Sequence, residues 1–266
     1  MSEPSGQSAA LTYTSYLALD EVLSAQRPRS DEHDEMLFIV IHQVYELWFK
    51  QLLHELDHLQ HMLEKVDTAH SVRTLRRALT ILKVVVAQID VLETMTPRQF
   101  AGFRARLDAA SGFQSGQFRE LEAVLGRRDE QMLRPYAKDS QAHERITAAM
   151  SRRTVFDSFL HYLAGSGYDV PVRHLNRDLR LPWEPAEDVQ QVLLQVYGDD
   201  AGPSTVADLL VDLDEGMQEW RYRHVKMVER TIGAKSGTGG SAGAAYLRST
   251  LFHAMFPDLW AVRSAL

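Results

Sequence analysis

The stretch that decides the fold is Phe38–Leu63, FIVIHQVYELWFKQLLHELDHLQHML. Its apolar residues recur at steps of three and four positions, which is the period of one face of an α-helix. The pattern predicts one long amphipathic helix whose apolar stripe is buried against other helices. The stripe consists of Phe38, Ile41, Tyr45, Trp48, Phe49, Leu52, Leu56, Leu59 and Leu63.

Helical periods continue along the rest of the chain. Thr96-Pro97-Arg98-Gln99 is typical of a helix start, because Thr caps the end, Pro suits the first turn and Gln can complete a capping box. No convincing alternating pattern of a β-strand is found. We therefore predict an all-α helical bundle, with a flexible tail at 1–10 and one domain at 11–266. Further helices are predicted at 71–94, 117–127, 139–164, 186–197 and 204–232.

The bulk composition narrows the class of protein. The 266 residues are 45% hydrophobic, which allows a sizeable core, and the formal net charge of -7 disfavours a nucleic-acid partner. There is no cysteine, which excludes disulfides, iron–sulfur clusters, thiolate-held haem and haem attached through Cys-x-x-Cys-His. No apolar run reaches the roughly 18 residues of a membrane span, and the N-terminus lacks the features of a secretory signal. We expect a soluble, cytoplasmic protein that engages no membrane.

One motif resembles a zinc site. His54-Glu55-Leu56-Asp57-His58 matches the H-E-x-x-H pattern, in which two histidines on one helix face bind zinc and the glutamate acts as a base. At about 100° per residue, however, both histidines fall opposite the apolar stripe of the same helix. Asp57 also places a charge inside the motif. We predict a solvent-exposed polar face here, and a zinc peptidase is the weaker alternative.

Two other histidines lie on apolar helix faces. His42 falls within about 40° of Phe38 on the helical wheel, at the edge of the apolar stripe. His224 shares a helix face with Trp220 and Val228, which lie four residues to either side. A histidine in such a position is most often a packed core residue with a hydrogen-bond partner, but it can also ligate haem iron through one ring nitrogen. The residues alone leave both interpretations open.

Two further features are candidate ligand contacts. Arg104 lies one turn after Phe100, so an aromatic ring and a guanidinium share a helix face and could grip a carboxylate. A surface arginine is the alternative.

The loop at 233–243 holds five glycines, which lets backbone approach a ligand closely. Since it lacks the residue order of a P-loop and no strand precedes it, we predict no nucleotide site there.

Four blocks of the sequence resemble the tryptophan 2,3-dioxygenase family. Leu37–Lys50 is similar to the family's distal-side helix, and Ala110–Ser115 is similar to its loop near the haem. Gly237–Ser241, GTGGS, and Phe256–Trp260, FPDLW, are similar to its C-terminal signatures. The likeness extends from Leu11 to the end of the chain, and blocks so rich in Trp, Phe, His and Gln are specific. It implies the family's helical fold around a haem pocket.

The resemblance also implies roles for individual positions. It makes His224 the axial ligand of the haem iron and His42 the hydrogen-bond partner of the indole N–H. It implies that Arg104 binds the substrate carboxylate and that Thr238 meets the substrate ammonium beside a haem propionate. The other positions with implied roles are Phe38 and Phe100 in the indole pocket, Ser111 and Gly112 close to the oxygen site, and Tyr13 and Tyr16, which the family lends to a neighbouring subunit's pocket. Phe100 stands where some members carry tyrosine, so a hydroxyl contact is absent there.

The activity that the resemblance implies is cleavage of the indole C2–C3 bond of L-tryptophan by O2. The product would be N-formylkynurenine, in the first step of the kynurenine route of tryptophan degradation. The implied cofactor is non-covalent haem b with ferrous iron in the active state, and the implied assembly is a homotetramer. A haem-dependent aromatic hydroxylase on the same scaffold would share His224 but differ in product. That hydroxylase and the zinc peptidase stay as alternatives.

Overall fold

Three long helices organise the chain, and shorter ones surround them. In this computed structural model the described residues are 10–107, 110, 112–233, 235, 247–248 and 251–266. Over these ranges the structure contains helices and no β-strand, which confirms the all-α prediction. None of the helices in the same ranges is long and apolar enough to cross a membrane.

The helices follow one another with short connections. In chain order they are α1 (Tyr13–Tyr16), α2 (Leu19–Leu23), α3 (His33–Glu64), α4 (Thr68–Leu92), α5 (Pro97–Arg104), α6 (Gly116–Leu125), α7 (Gln141–Met150), α8 (Val155–Gly165), α9 (Val172–Leu175), α10 (Glu187–Asp199), α11 (Gly202–Ile232) and α12 (Pro257–Ala261). Short 3-10 helices cover Gly112–Gln114, Glu130–Leu133 and Val262–Ala265.

The core lies along α3, α4 and α11, with α4 packed against both of the other two. The predicted apolar stripe of α3 faces this core: Phe38 and Trp48 are half-buried and its other seven members are buried. Leu59 and Leu63 are fully buried, as is Leu75 of α4. Each such side chain stabilises the fold by about 1.5–3 kcal/mol through removal of apolar surface from water.

A glycine sets how closely α11 approaches α4. A Cβ on Gly216 would lie 2.7 Å from Cδ2 of Leu82, so a larger residue would force the Leu82 side chain to move. His224 lies about two turns further along α11. The contact at Gly216 therefore helps to fix where the end of α11 stands relative to α3 and α4.

The prediction of a single helix at 139–164 is wrong. The structure has α7 and α8 there, because Thr154 begins a new helix with a buried capping box. The Thr154 hydroxyl accepts from the Asp157 N–H, and the Asp157 carboxylate accepts from the backbone N–H of Thr154 at 2.8 Å. The helices predicted at 71–94, 117–127, 186–197 and 204–232 are observed with ends shifted by at most three residues, and the long helix begins five residues before Phe38. The tail at 1–10 and the division into one domain stay predictions, since 1–9 lie outside the described residues.

Candidate active site

A largely apolar cavity in the described part of the chain lies between the N-terminal half of α3, α5, α6 and the C-terminal part of α11. Its walls are largely aromatic and aliphatic, and a few polar side chains reach it. The ionisable side chains along its wall are His42, Tyr45, Glu46, Arg104, Arg119, Glu122, Arg221 and His224. An apolar cavity with a small set of converging polar groups is typical of a binding site for a small molecule or cofactor.

Helix α3 places Phe38 and His42 side by side on the cavity wall. Their ring centroids lie 4.1 Å apart, and Nδ1 of His42 lies 2.7 Å from the Phe38 carbonyl oxygen. Because a carbonyl oxygen only accepts, Nδ1 carries the proton and Nε2 is left as an acceptor. Burial lowers the pKa of His42 below its usual 6.5, although the Phe38 carbonyl and Glu46 act in the opposite direction. His42 is therefore a neutral hydrogen-bond acceptor.

Helix α11 presents a second neutral histidine to the same cavity. Burial lowers the pKa of His224 to about 4, and electrostatic interactions with Arg119 and with any protonated form of His42 add to this effect. The His224 ring lies parallel to Trp220, with centroids 5.1 Å apart and planes within 5°. Within the described part of the chain, no group hydrogen-bonds the His224 imidazole. A neutral imidazole in an apolar cavity has the chemistry of a metal or haem ligand.

Helix α5 supplies an aromatic wall and a guanidinium. Its start is fixed by the predicted capping box, in which Thr96 and Gln99 bond each other's backbone N–H groups. The ring of Phe100 lies 5.7 Å from Phe38 and 5.4 Å from Phe103, edge-on to the latter. Arg104 lines the cavity one turn later. The predicted shared face of Phe100 and Arg104 therefore points into the cavity.

A buried charge cluster lies on another part of the wall. Glu122 accepts from Arg119 at 2.6 Å, from Arg221 at 3.1 Å and from Arg127 at 3.1 Å. Burial alone would raise the pKa of Glu122, but the three guanidinium groups outweigh it and the pKa is lowered. The carboxylate is therefore ionised and holds two cavity-lining arginines in place. The cluster is not predicted from the sequence. The spacing of Arg119 and Glu122 by three residues indicates that these two side chains can pair on one helix, but it does not indicate that they are buried.

The remaining predicted site residues divide into three groups. Gly112, which the family resemblance placed in a loop near the haem, lines the cavity. Ser111 and Thr238 lie outside the described residues, together with most of the loop at 233–243. Tyr13 and Tyr16 do not line this cavity, and their side chains on α1 are 76% and 72% exposed. Large aromatic side chains with this exposure are typical of a contact surface.

The H-E-x-x-H motif forms no zinc site in the described part of the chain. His54 and His58 are exposed, as predicted. Glu55 departs from the predicted polar face: it is only 3% exposed and accepts from Gln51 at 2.7 Å and from Arg77 at 3.2 Å. Among the described residues there is no group of three or more potential ligands that could hold a metal ion. Glu55 is a structural ion-pair residue.

The fold and the cavity define a class: an all-α protein whose apolar pocket presents neutral histidines from two different helices. The chain belongs to the tryptophan 2,3-dioxygenase family, because the model of that family, described as tryptophan 2,3-dioxygenase, matches residues 2–165 and 189–266. This confirms the family indicated by the four sequence blocks.

Curated relatives span all or nearly all of the chain. A tryptophan 2,3-dioxygenase of Anaeromyxobacter dehalogenans is 65% identical, with 100% of both chains covered. One of Herpetosiphon aurantiacus is 55% identical over 97% of this chain and 100% of its own. One of Caulobacter vibrioides is 41% identical over 96% of this chain and 98% of its own. The similarity therefore includes every element that lines the cavity.

Proposed function

We propose that this protein is a haem dioxygenase that cleaves the indole C2–C3 bond of L-tryptophan with O2 to give N-formylkynurenine. The observation that carries the proposal is the pair His42 and His224, both neutral and both on the wall of one aromatic cavity. Relatives that are named tryptophan 2,3-dioxygenase align with 100% and 97% of the chain.

Family membership implies a haem cofactor, and the residues of the cavity fit it. His224 offers a neutral ring nitrogen in apolar surroundings, and we propose it as the axial ligand of the iron. The chain has no cysteine for a thioether link, and we propose that the cofactor is non-covalent haem b. When bound, ferrous haem supplies the reaction with O2, and the protein supplies orientation and electrostatics.

The residues of α3 and α5 orient the substrate in this proposal. The rings of Phe38 and Phe100 form a wall against which an indole ring stacks. His42 accepts the indole N–H through Nε2, because its Nδ1–H is already committed to the Phe38 carbonyl. Arg104 pairs with the substrate carboxylate, and Thr238 meets the ammonium. Recognition at these points holds the reacting edge of the indole in place, which is a proximity effect.

Other residues contribute from the rim and from a second subunit. We place Ser111 and Gly112 close to the position of O2. We further propose a homotetramer in which Tyr13 and Tyr16 complete the pocket of a neighbouring subunit. Their high exposure supports this, since a cluster of exposed large apolar side chains is typical of a protein–protein contact surface.

The experiment that tests the function identifies the product. The haem-loaded, reduced protein is given L-tryptophan under ¹⁸O2, and the product is analysed by mass spectrometry. We expect both labelled atoms in N-formylkynurenine. Incorporation of one labelled atom would assign the protein to the aromatic hydroxylases instead. Failure to bind haem at all would overturn both possibilities.

A further inference from the structure

We propose that Trp220 is a positioning residue: its stacked ring fixes the plane of the His224 imidazole and thereby the direction in which the ligating nitrogen points into the cavity. The inference rests on the proposed function, because it takes His224 as the iron ligand. Trp220 lies one turn before His224 on α11, and the two rings are parallel within 5° at 5.1 Å between centroids. Of the aromatic pairs in the described part of the chain, this one is the most nearly parallel.

The His224 ring needs such a restraint. Rotation of a histidine ring about its last side-chain bond is governed by a broad, weakly selective potential, so the backbone alone does not fix the ring plane. A ligating histidine usually gains its orientation from a hydrogen bond at the second ring nitrogen. Within the described residues His224 makes no such bond. Among the described residues, parallel stacking on Trp220 is the contact that can hold the plane.

The packing around Trp220 holds its ring in place, so that this ring can in turn restrain His224. It is 9% exposed, and its ring centroid lies 4.7 Å from Phe118, 6.1 Å from Phe49 and 6.5 Å from Tyr45. These three rings come from α3 and α6, so Trp220 is fixed by two other helices. The orientation of the His224 ring is thereby tied to the packing of three helices.

The test compares substitutions that keep or remove the stacked ring. Trp220→Phe keeps an aromatic face, whereas Trp220→Leu and Trp220→Met do not; the flexible Met fills space and guards against a failure of the Leu variant to fold. Trp183→Leu is the matched control, because Trp183 also packs against a histidine ring, His174, at 5.4 Å but outside the cavity. The readouts are the iron–histidine stretching line in the resonance Raman spectrum of the ferrous protein and the rate of haem transfer to apomyoglobin.

We expect the iron–histidine line to shift or broaden in Trp220→Leu and Trp220→Met. Haem loss from both variants should accelerate about two- to tenfold, which is the fold-change that corresponds to the energy of an aromatic pair. Trp220→Phe should keep the wild-type line. Trp183→Leu should lower stability to urea without changing either readout. Wild-type values in Trp220→Leu or Trp220→Met would overturn the positioning role, as would a Phe variant as perturbed as they are. Absence of an iron–histidine line in the wild type would instead contradict the proposed function.

Discussion

His42 donates its Nδ1–H to the carbonyl oxygen of Phe38, four residues earlier on α3, at 2.7 Å. The bond orients the imidazole along the helix and leaves Nε2 as its acceptor. Burial lowers the pKa of His42, so this neutral tautomer persists at and somewhat below pH 6.5. One main-chain carbonyl therefore determines which hydrogen-bonding group the cavity offers to a ligand.

Replacement of His42 by alanine should slow the reaction without abolishing it. A hydrogen bond to a neutral N–H contributes about 0.5–1.5 kcal/mol, so kcat/KM for L-tryptophan should fall about two- to tenfold. The oxygen isostere of tryptophan, which lacks the ring N–H, is the matched ligand: the wild type should bind it more weakly than tryptophan, and His42→Ala should bind both alike. Complete inactivity with haem and substrate still bound would make His42 an obligatory base.

Replacement of His224 by alanine should remove tight haem binding. The chain has no cysteine to substitute, and loss of the ligand should exceed the roughly 10–100-fold effect of losing a group that merely supports one. Haem titration followed at the Soret band measures the change. His161→Ala on α8 is a control, since it removes a half-buried histidine outside the cavity. A normal Soret band and full activity in His224→Ala would mean that another residue holds the iron.

Glu35 should make stability depend on pH. Burial would raise the pKa of this carboxyl, but hydrogen bonds from the Ser30 hydroxyl and from the backbone N–H groups of Arg29 and Ser30 lower it overall, below 4.5. The folded state therefore binds the proton less tightly than the unfolded state, and the stabilisation is complete above pH 4.5 and lost as the pH falls through the folded pKa. At pH 7, Glu35→Gln should lower the free energy of unfolding by about 1–3 kcal/mol.

The measurement for Glu35 is urea unfolding at a series of pH values. The difference between wild type and Glu35→Gln should shrink as the pH drops below 4.5. Asp31→Asn, which alters an exposed carboxyl nearby, should show a much smaller difference at every pH. A gap between wild type and Glu35→Gln that does not change with pH would show that the carboxylate charge is not the source of the stabilisation.

Substitution of both His54 and His58 by alanine should leave activity within about twofold of wild type. Both side chains are exposed on the face of α3 away from the core, where changes usually alter stability by no more than about 0.5 kcal/mol. Steady-state kinetics and metal analysis of the purified protein check this. Loss of activity accompanied by loss of bound zinc would restore the peptidase alternative.

The sequence predicts well those parts of the fold that depend on residues close together in the chain. The stripe of α3 repeats over more than six turns, and the capping box at Thr96 and Gln99 lies within four residues. The polar run Ser151-Arg152-Arg153-Thr154 interrupts the apolar period between α7 and α8, and the cap at Thr154 begins the second helix. A prediction of one helix across 139–164 overlooks this local signal. Local periodicity therefore identified the helices more reliably than their ends.

The parts that were missed depend on pairs of residues far apart in the chain. Glu55 lies within about 40° of Leu59 on the helical wheel, but its burial as a charge depends on Arg77 of α4, which is 22 positions away. Arg221 meets Glu122 across 99 positions, so neither residue alone indicates a buried cluster. Both glutamates lie one turn from a buried apolar residue of their own helix, Leu59 and Phe118 respectively. Arg77 and Arg221, which help to compensate their buried charges, come from other helices, which the local pattern does not reveal.

Arg104 should control the choice of substrate. It lines the cavity one turn after Phe100, and a guanidinium can make two charge-assisted hydrogen bonds to a carboxylate, each worth roughly 1.5–3 kcal/mol. At about 1.4 kcal/mol per decade, Arg104→Leu should reduce kcat/KM for L-tryptophan by about two to four decades. Lysine should restore little of this, because it offers a point charge in place of a planar fork. Arg106→Leu, at an exposed position two residues further on, is the matched control.

Tryptamine, which lacks the carboxylate, makes this test specific. The wild type and Arg106→Leu should strongly prefer tryptophan to tryptamine, whereas Arg104→Leu should lose most of that preference, since the group that recognises the carboxylate is gone. The ratio of the two kcat/KM values cancels general damage to the fold, which lowers both substrates alike. If Arg104→Leu keeps the wild-type ratio, Arg104 does not bind the carboxylate. Arg119 and Arg221 would then be the next candidates, because both line the same cavity, although Glu122 already engages each of them.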